Sequence, residues 1–130
     1  MGQGQTNGFH RKSVTWNKAM ELTVKIYELT RAFPSDERFG LTNQLRRAAV
    51  SIPSNIAEGN GRLNTREFIQ FLAIARGSTL EVLTQLELAN ALGFSKEEPV
   101  REAEELATEV LKLLNATMTT LQAKGTTRRP

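Results

Sequence analysis

Few side chains in this sequence have the chemistry of a catalytic site. The single histidine, His10, stands in a glycine- and glutamine-rich stretch without an acidic or nucleophilic neighbour, and the chain contains no cysteine. A serine nucleophile requires a general base beside it, and the chain has no second histidine that could act as that base. A hydrolase would need a cluster of histidines or carboxylates, and the sequence shows none. We therefore expect no enzymatic activity, no metal site and no bound cofactor.

The glycines at residues 59–62, Gly-Asn-Gly-Arg, resemble a phosphate-binding loop only in composition. A nucleotide cradle needs a strand before the loop and a Lys-Ser/Thr pair after it, and both are missing here. Glu58 could be a buried acid, but a carboxylate at a helix end that pairs with Arg62 is the simpler interpretation. The segment therefore predicts the end of a helix.

Basic side chains are concentrated in the first half of the chain. Residues 1–66 carry ten Lys and Arg against five Asp and Glu, although the net charge of the whole chain is only +3. Guanidinium groups bind phosphates in a bidentate fashion, so this asymmetry suits a nucleic-acid partner. The candidate phosphate-binding residues are Arg46, Arg47, Arg62, Arg66, Lys18 and Lys25.

Two alternatives remain open for these charges. Arg46, Arg47 and Arg62 could instead pair with Glu58 or with the acidic residues of a neighbouring subunit, and the basic half could be an ordinary solvated surface. The sequence also shows no recognition-helix geometry. Its six phenylalanines and one tryptophan fall mostly on core stripes, so we expect no aromatic platform for bases.

Length and composition indicate one compact domain. The chain has 130 residues, of which 39% are apolar, and no run approaches the roughly 20 apolar residues that span a bilayer. We expect a flexible arm over residues 1–13, a helical domain over 14–123 and a basic flexible tail over 124–130. The absence of cysteine suits a reducing compartment, so we expect a cytoplasmic protein without a membrane partner.

Four segments have the apolar period of a helix and none has that of a strand. The predicted helices cover residues 14–32, 41 to 57 or a little beyond, and 64–92, and a fourth runs from 95 to the tail. Asn64 and Glu67 form a capping-box signal at the start of the third. Pro53 lies inside the second helix, where it predicts a kink. We predict an all-α, antiparallel up-down-up-down four-helix bundle with a kinked second helix.

The second and third helices differ from the other two in their outward faces. The first and fourth helices have one apolar side, whereas the third is apolar nearly all round and the second has small side chains on its outward face. A helix on the surface of a monomer should not be apolar on both sides, so these two helices predict self-association. The predicted interface residues are Val50, Pro53, Ser54, Glu58, Ile74, Gly77, Leu80 and Leu88.

Residues 16–94 resemble a known bacterial family. The resemblance rests on Trp16-x-x-Ala-Met-x-Leu, on IYELTRAFPSDERFGLTNQLRRAAVSIPSNIAEGNGR and on EFIQFLAIARGSTLEVLTQLELANALGF. These motifs resemble the four-helix-bundle proteins encoded in intervening sequences of 23S ribosomal RNA genes. Relatives of that family include the accessory protein of diversity-generating retroelements, which works with a reverse transcriptase.

The resemblance implies a bacterial, cytoplasmic, ring-shaped homopentamer without known catalysis, and it implies nucleic-acid binding as an expectation. The family motif falls on Arg46, Arg47, Pro53, Ser54, Asn55, Glu58, Gly59 and Arg62. Two functional readings follow. In one, the basic surface of the oligomer binds RNA, DNA or a nucleic-acid enzyme; in the other, the ring is a protein adaptor or structural element and its charges serve only solvation.

Overall fold

The computed structural model describes residues 13–128, and the side chains of those residues up to 124. Within this range the chain forms four α-helices and no strand, which confirms the predicted all-α class. Helix α1 spans Val14–Thr30, α2 spans Leu41–Asn60, α3 spans Thr65–Leu92 and α4 spans Glu97–Arg128. A single 3-10 turn, Ser35–Glu37, lies between α1 and α2.

The helices pack in a closed cycle. Helix α1 packs on α2 and α4, and α3 packs on the same two helices, whereas the diagonal pairs do not pack on each other. Phe33 and Phe94, which follow α1 and α3, bring both connections to one end of the bundle, with their ring centroids 5.6 Å apart. One core lies along the axis between the four helices. Its largest fully buried side chains include Leu22, Ile26, Leu45, Ile52, Ile56, Leu72, Leu86 and Leu114.

Contacts between neighbouring helices show that they run antiparallel, because one residue number rises as the other falls. The contacting pairs are Thr23 with Ala49 and Thr30 with Arg46 between α1 and α2, Ser51 with Ser78 and Gln44 with Gln85 between α2 and α3, and Lys18 with Glu109 and Lys25 with Glu102 between α1 and α4. Arg76 of α3 also donates to Asn115 of α4, 2.8 Å away. The bundle is therefore up-down-up-down.

Side-chain caps define the helix starts. Ser13 accepts from the backbone N–H of Trp16 at 3.1 Å, and Asn64 accepts from that of Glu67 at 2.8 Å. The Asn64 amide donates in return to the Glu67 carboxylate, so the predicted cap is confirmed. At α2 the carboxylate of Glu37 accepts from the N–H of Leu41 at 3.0 Å, a cap that the sequence analysis did not predict. Acidic groups suit this position, because helix N-termini carry partial positive charge.

Helix α2 continues across Pro53 because its lost hydrogen bond is replaced from α1. Proline has no N–H, so the carbonyl of Ala49 loses its partner within the helix. The hydroxyl of Thr23 lies 3.1 Å from that carbonyl and 2.8 Å from the carbonyl of Ala19, and its one proton is shared between the two. Pro53 itself is buried, so its predicted place on an outward oligomer face is wrong. It follows Ala49 by four residues, which puts both on the inward side.

The ends of α2 and α4 compare differently with the prediction. Helix α2 runs to Asn60 with Gly61 as its C-cap, a little beyond residue 57 as predicted, and Gly59 is buried inside it. Helix α4 runs to Arg128, so residues 124–128, predicted as flexible tail, are helical. Leu121 is the last described side chain packed on the core, and after Pro99 in the first turn of α4 no proline follows until residue 130. No helix within 13–128 combines the length and apolar character of a bilayer span.

Candidate nucleic-acid interface

An open groove of about 810 Å³ lies where α1, α2 and their connection meet. We call it the arginine groove. Three arginines, two aromatic residues and four smaller side chains line it: Tyr27, Arg38, Phe39, Thr42, Asn43, Arg46, Arg47, Val50 and Ser51. Two of the six predicted phosphate-binding residues, Arg46 and Arg47, are therefore brought together here, and Arg38 joins them from the connection.

Two contacts with α1 fix the position of Arg46. Its Nε donates to the hydroxyl of Thr30 at 2.8 Å, and its guanidinium carbon lies 4.6 Å from the centroid of the Tyr27 ring. The Thr30 hydroxyl in turn donates to the carbonyl of Ile26 at 2.7 Å, which orients its oxygen lone pairs toward Arg46. The guanidinium is thus held against α1, with its terminal nitrogens left for a ligand.

Phe39 and Tyr27 give the groove aromatic surface. Phe39 is 82% exposed, and the guanidinium carbon of Arg38 lies 4.8 Å from its ring centroid. Tyr27 is 39% exposed. Two aromatic rings are therefore accessible in the groove, although the sequence analysis expected the phenylalanines mostly on core stripes. Phe39 lies in a connection, outside any helical period, so no stripe directs it inward. That position was the signal in the sequence that could have identified it.

The arginines of the groove are not neutralised within the chain. Among the described residues, no carboxylate forms an ion pair with Arg38, Arg46 or Arg47. The alternative that Arg46 and Arg47 pair with Glu58 is therefore wrong for the single chain. Three cations on one open wall repel one another unless an anion binds there.

The remaining predicted phosphate-binding residues have other surroundings. Arg62 donates to Glu58 at 2.9 Å and lies 3.9 Å from Glu67, so the alternative interpretation applies to this arginine. Its guanidinium also lies 4.6 Å from the ring centroid of Phe71. Arg66 is exposed in the first turn of α3, outside the groove.

Lys18 and Lys25 lie on the seam between α1 and α4. Lys18 pairs with Glu21 and Glu109, and Lys25 pairs with Glu102 at 3.1 Å. The structure therefore places neither lysine in the arginine groove, and it uses both in contacts between helices.

Arg101 on α4 contrasts with the arginines of the groove. It forms a hydrogen-bonded ion pair with Glu98 and a second ion pair with Glu105 at 3.3 Å. The hydrogen bond and the charge of Arg101 hold the pKa of Glu98 below its usual range. The charge of Arg101 is thus balanced by its own helix. No group of three or more metal-ligating side chains occurs in the described part of the chain, and His10 lies outside it.

The outward face of α3 carries several exposed apolar side chains, with the exposed Glu81 between Ile74 and Leu88. Ile74, Leu80, Leu88 and Leu92 are each between 40% and 59% exposed, and nothing lies within 4 Å of a Cβ built on Gly77. Of the other predicted interface residues, Val50 is 41% exposed and lines the arginine groove, Ser54 is exposed on α2, and Glu58 is exposed but paired with Arg62.

A polar seam joins α2 to α3 beside this face. The hydroxyls of Ser51 and Ser78 share a hydrogen bond of 2.8 Å, and the Asn55 amide donates to Ser51. Gln85 is buried in the seam. Its amide nitrogen donates to Gln44 at 3.4 Å, while its own carbonyl oxygen has no donor among the described residues.

The fold and the groove together define a small helical bundle with a basic, aromatic-lined cleft and an apolar outer helix. The model of the 23S rRNA-intervening sequence proteins matches residues 11–116, and the chain belongs to this family. This confirms the family resemblance seen in the sequence.

The chain is also similar to a solved structure from Bacteroides thetaiotaomicron VPI-5482, a protein with unknown function from the S23 ribosomal protein family. The two share 27% identity with a TM-score of 0.76, over 81% of this chain and 98% of the other. No protein of curated function matches the chain.

Proposed function

We propose that this protein is a non-enzymatic homo-oligomer that binds the phosphates of nucleic acid in the arginine groove. One observation carries the proposal: Arg38, Arg46 and Arg47 line a single open groove and none of them pairs with a carboxylate of the described chain. By contrast, Arg62 and Arg101 both have carboxylate partners. Arg31, Arg66 and Arg76 also form no ion pair within the described residues, but none of them lines the groove, so only there are three unpaired arginines brought together.

The geometry of the groove suits phosphates for a physical reason. Guanidinium groups present parallel N–H donors that match two phosphate oxygens, and they are weakly hydrated for a cation. Because Arg46 is already held by Thr30 and Tyr27, it loses little rotamer freedom on binding. Arg47 and Arg38 can then contact neighbouring phosphates of the same strand.

Self-assembly through α3 is the second part of the proposal. Exposed Ile74, Leu80, Leu88 and Leu92 would be removed from water in an oligomer, and each buried aliphatic side chain contributes about 1 to 3 kcal/mol. The copy number of five and the bacterial cytoplasmic location are proposed from the family resemblance.

The salt dependence of binding tests the proposed contacts between the groove and phosphates. The anisotropy of a labelled RNA or DNA strand would be titrated with protein at about 50 and 200 mM salt. Three phosphate contacts predict that affinity falls about 20-fold for a single strand and about 40-fold for a duplex across this range, and more if several grooves engage one molecule. Absence of binding at the lower salt would overturn the proposal and leave the protein adaptor as the better account.

A pair of matched variants assigns the binding to the groove. Arg47→Gln removes an arginine without a carboxylate partner, so we expect weaker binding and a salt slope reduced by about one phosphate. Arg62→Gln makes the same change where Glu58 and Glu67 already balance the charge, and we expect little loss. Equal losses for both variants would show that net charge, not the groove, determines affinity.

A further inference from the structure

Phe39 and Tyr27 are exposed in the same groove as the three unpaired arginines. Binding of a sugar–phosphate backbone alone does not require them, since phosphates interact with charge and hydrogen-bond donors. Phe39 is 82% exposed, and it stands in the groove, away from the apolar face of α3. Neither the core nor the proposed oligomer face therefore accounts for this ring.

Each ring forms a pair with a guanidinium. Arg38 lies over Phe39 at 4.8 Å and Arg46 lies over Tyr27 at 4.6 Å, both measured from guanidinium carbon to ring centroid. Nucleic-acid bases stack on aromatic rings and on guanidinium planes alike. The groove thus offers two flat stacking positions beside its cations.

The groove also matches an unpaired nucleotide in size and in polar groups. Its volume of about 810 Å³ falls in the range of pockets that enclose one small ligand. Asn43 on its wall is exposed and makes no hydrogen bond with the described residues, so its amide can donate to and accept from the edge of a base. Bases inside a duplex are already stacked and paired, and they cannot reach such a pocket.

We propose that the arginine groove binds unpaired nucleotides of single-stranded nucleic acid. A base stacks on Phe39 or Tyr27, and the phosphates on either side of it contact Arg38, Arg46 and Arg47. Stacking tolerates any base, because every base has a flat π-face, so the preference is for single strands and not for a sequence. This inference rests on the proposed function and adds the kind of strand that the groove selects.

A strand without bases separates the contribution of stacking to the affinity from the contribution of the phosphate charges. The full chain would be titrated at low salt against three labelled probes of equal phosphate number per strand: oligo-thymidine, an abasic strand and a mixed-sequence duplex. We expect oligo-thymidine to bind on the order of ten-fold or more tighter than the abasic strand, because stacking adds to the phosphate contacts. We also expect it to bind tighter than the duplex.

The variant Phe39→Ala tests whether the ring of Phe39 is the one on which a base stacks. Since Phe39 is largely exposed, its loss does not disturb the core, and we expect the ratio of oligo-thymidine to abasic affinity to fall toward one. Leu63→Ala removes another exposed apolar side chain, outside the groove, and serves as the control. Equal binding of oligo-thymidine and the abasic strand by the unchanged protein would overturn this inference and leave phosphate binding intact. Failure of all three probes to bind would overturn the proposed function as well.

Discussion

Arg46 and Arg47 are neighbours in the sequence but differ in how much the fold constrains them. Arg46 is half-buried and tied to α1 by its hydrogen bond and its ring contact, whereas Arg47 is exposed and makes neither. A constrained donor needs less ordering on binding than a free one. In the proposed complex, Arg46 would therefore set the position of a bound phosphate, and Arg47 would add charge beside it.

Gly59 shows how one residue sets the distance between two helices. A Cβ at this position would lie 2.8 Å from Cδ1 of Phe68 and 3.0 Å from Cβ of Phe71. The first distance is shorter than carbon atoms tolerate, and the second is tight and involves an atom fixed to the backbone of α3. Helices α2 and α3 approach this closely only because the residue has no side chain.

Gly59→Ala is therefore expected to lower the free energy of unfolding by about 1 to 3 kcal/mol, since α2 and α3 must separate. Urea denaturation followed by circular dichroism, at one protein concentration, measures the change. Gly61→Ala is the control: its Cβ would meet only Glu58 and Ala57 carbonyls at 3.4 Å or more, and we expect a change within about 0.5 kcal/mol. Unchanged stability for Gly59→Ala would show that the packing of α2 on α3 accommodates a methyl group here.

At the residue scale, sequence analysis found the charges and missed their surroundings. The adjacent arginines are visible as a pair in the chain, and so is the spacing of Glu58 and Arg62 on one helix face. The contact of Arg46 with Thr30 joins residues of different helices, and no local pattern encodes it. Phe39 was overlooked because the phenylalanines were assigned as a group to the core stripes.

At the scale of helices, α1 and α2 depend on each other through Pro53. An interior proline costs about 3 kcal/mol when the freed carbonyl finds no partner. Here the Thr23 hydroxyl of α1 lies within hydrogen-bonding distance of the freed Ala49 carbonyl. This contact also fixes the register of the two helices that form the groove.

A double-mutant cycle on Thr23 and Pro53 measures this dependence. Thr23→Val removes the hydroxyl, and we expect it to cost about 1 kcal/mol because the Ala49 carbonyl is left without a donor. In a Pro53→Ala background the new N–H bonds that carbonyl, so Thr23→Val should cost less. Denaturant unfolding of the four proteins gives the coupling energy, for which we expect about 0.5 to 1.5 kcal/mol. Strictly additive effects would contradict this role of Thr23.

Helix existence and order were predictable because each helix carries its own apolar period. The start of α3 was also predictable, since Asn64 and Glu67 form a local cap. The end of α2 was also predictable, since Gly61 caps it, but the place of Gly59 inside the helix depends on its packing against Phe68 and Phe71. The inward position of Pro53 follows from helical spacing. The hydrogen bond from Thr23 that replaces the one lost at Pro53 is a tertiary contact, and no local pattern encodes it.

At the scale of the whole molecule, the two proposed surfaces have different linings but adjoin on α2. The arginine groove lies between α1 and α2, and no residue of α3 lines it, although its Ser51 is hydrogen-bonded to Ser78 of α3. The apolar side chains proposed for assembly lie on the outward face of α3. We propose that assembly through these side chains leaves the groove open, so that an oligomer would present one groove per copy to the same strand. Linked grooves of this kind raise the effective affinity for a long nucleic acid.

Leu80→Glu is expected to dissociate the oligomer without unfolding the bundle. Leu80 is 40% exposed in the single chain, so a carboxylate there is solvated in the monomer but would be buried in the assembly. Light scattering reports the mass, and circular dichroism reports the helical content, which we expect to stay unchanged. Leu63→Glu makes the same substitution outside α3 and should leave the mass as it was. An unchanged mass for Leu80→Glu would exclude this face from the interface.

The decisive measurement is the mass of the unchanged protein, alone and with oligo-thymidine, by light scattering during size-exclusion chromatography at micromolar concentration. We expect a protein peak of several times 14.5 kDa, five-fold if the family resemblance holds for copy number, and a larger mass when the strand is added at low salt. A single species of 14.5 kDa, with the strand eluting separately, would contradict both the assembly and the groove.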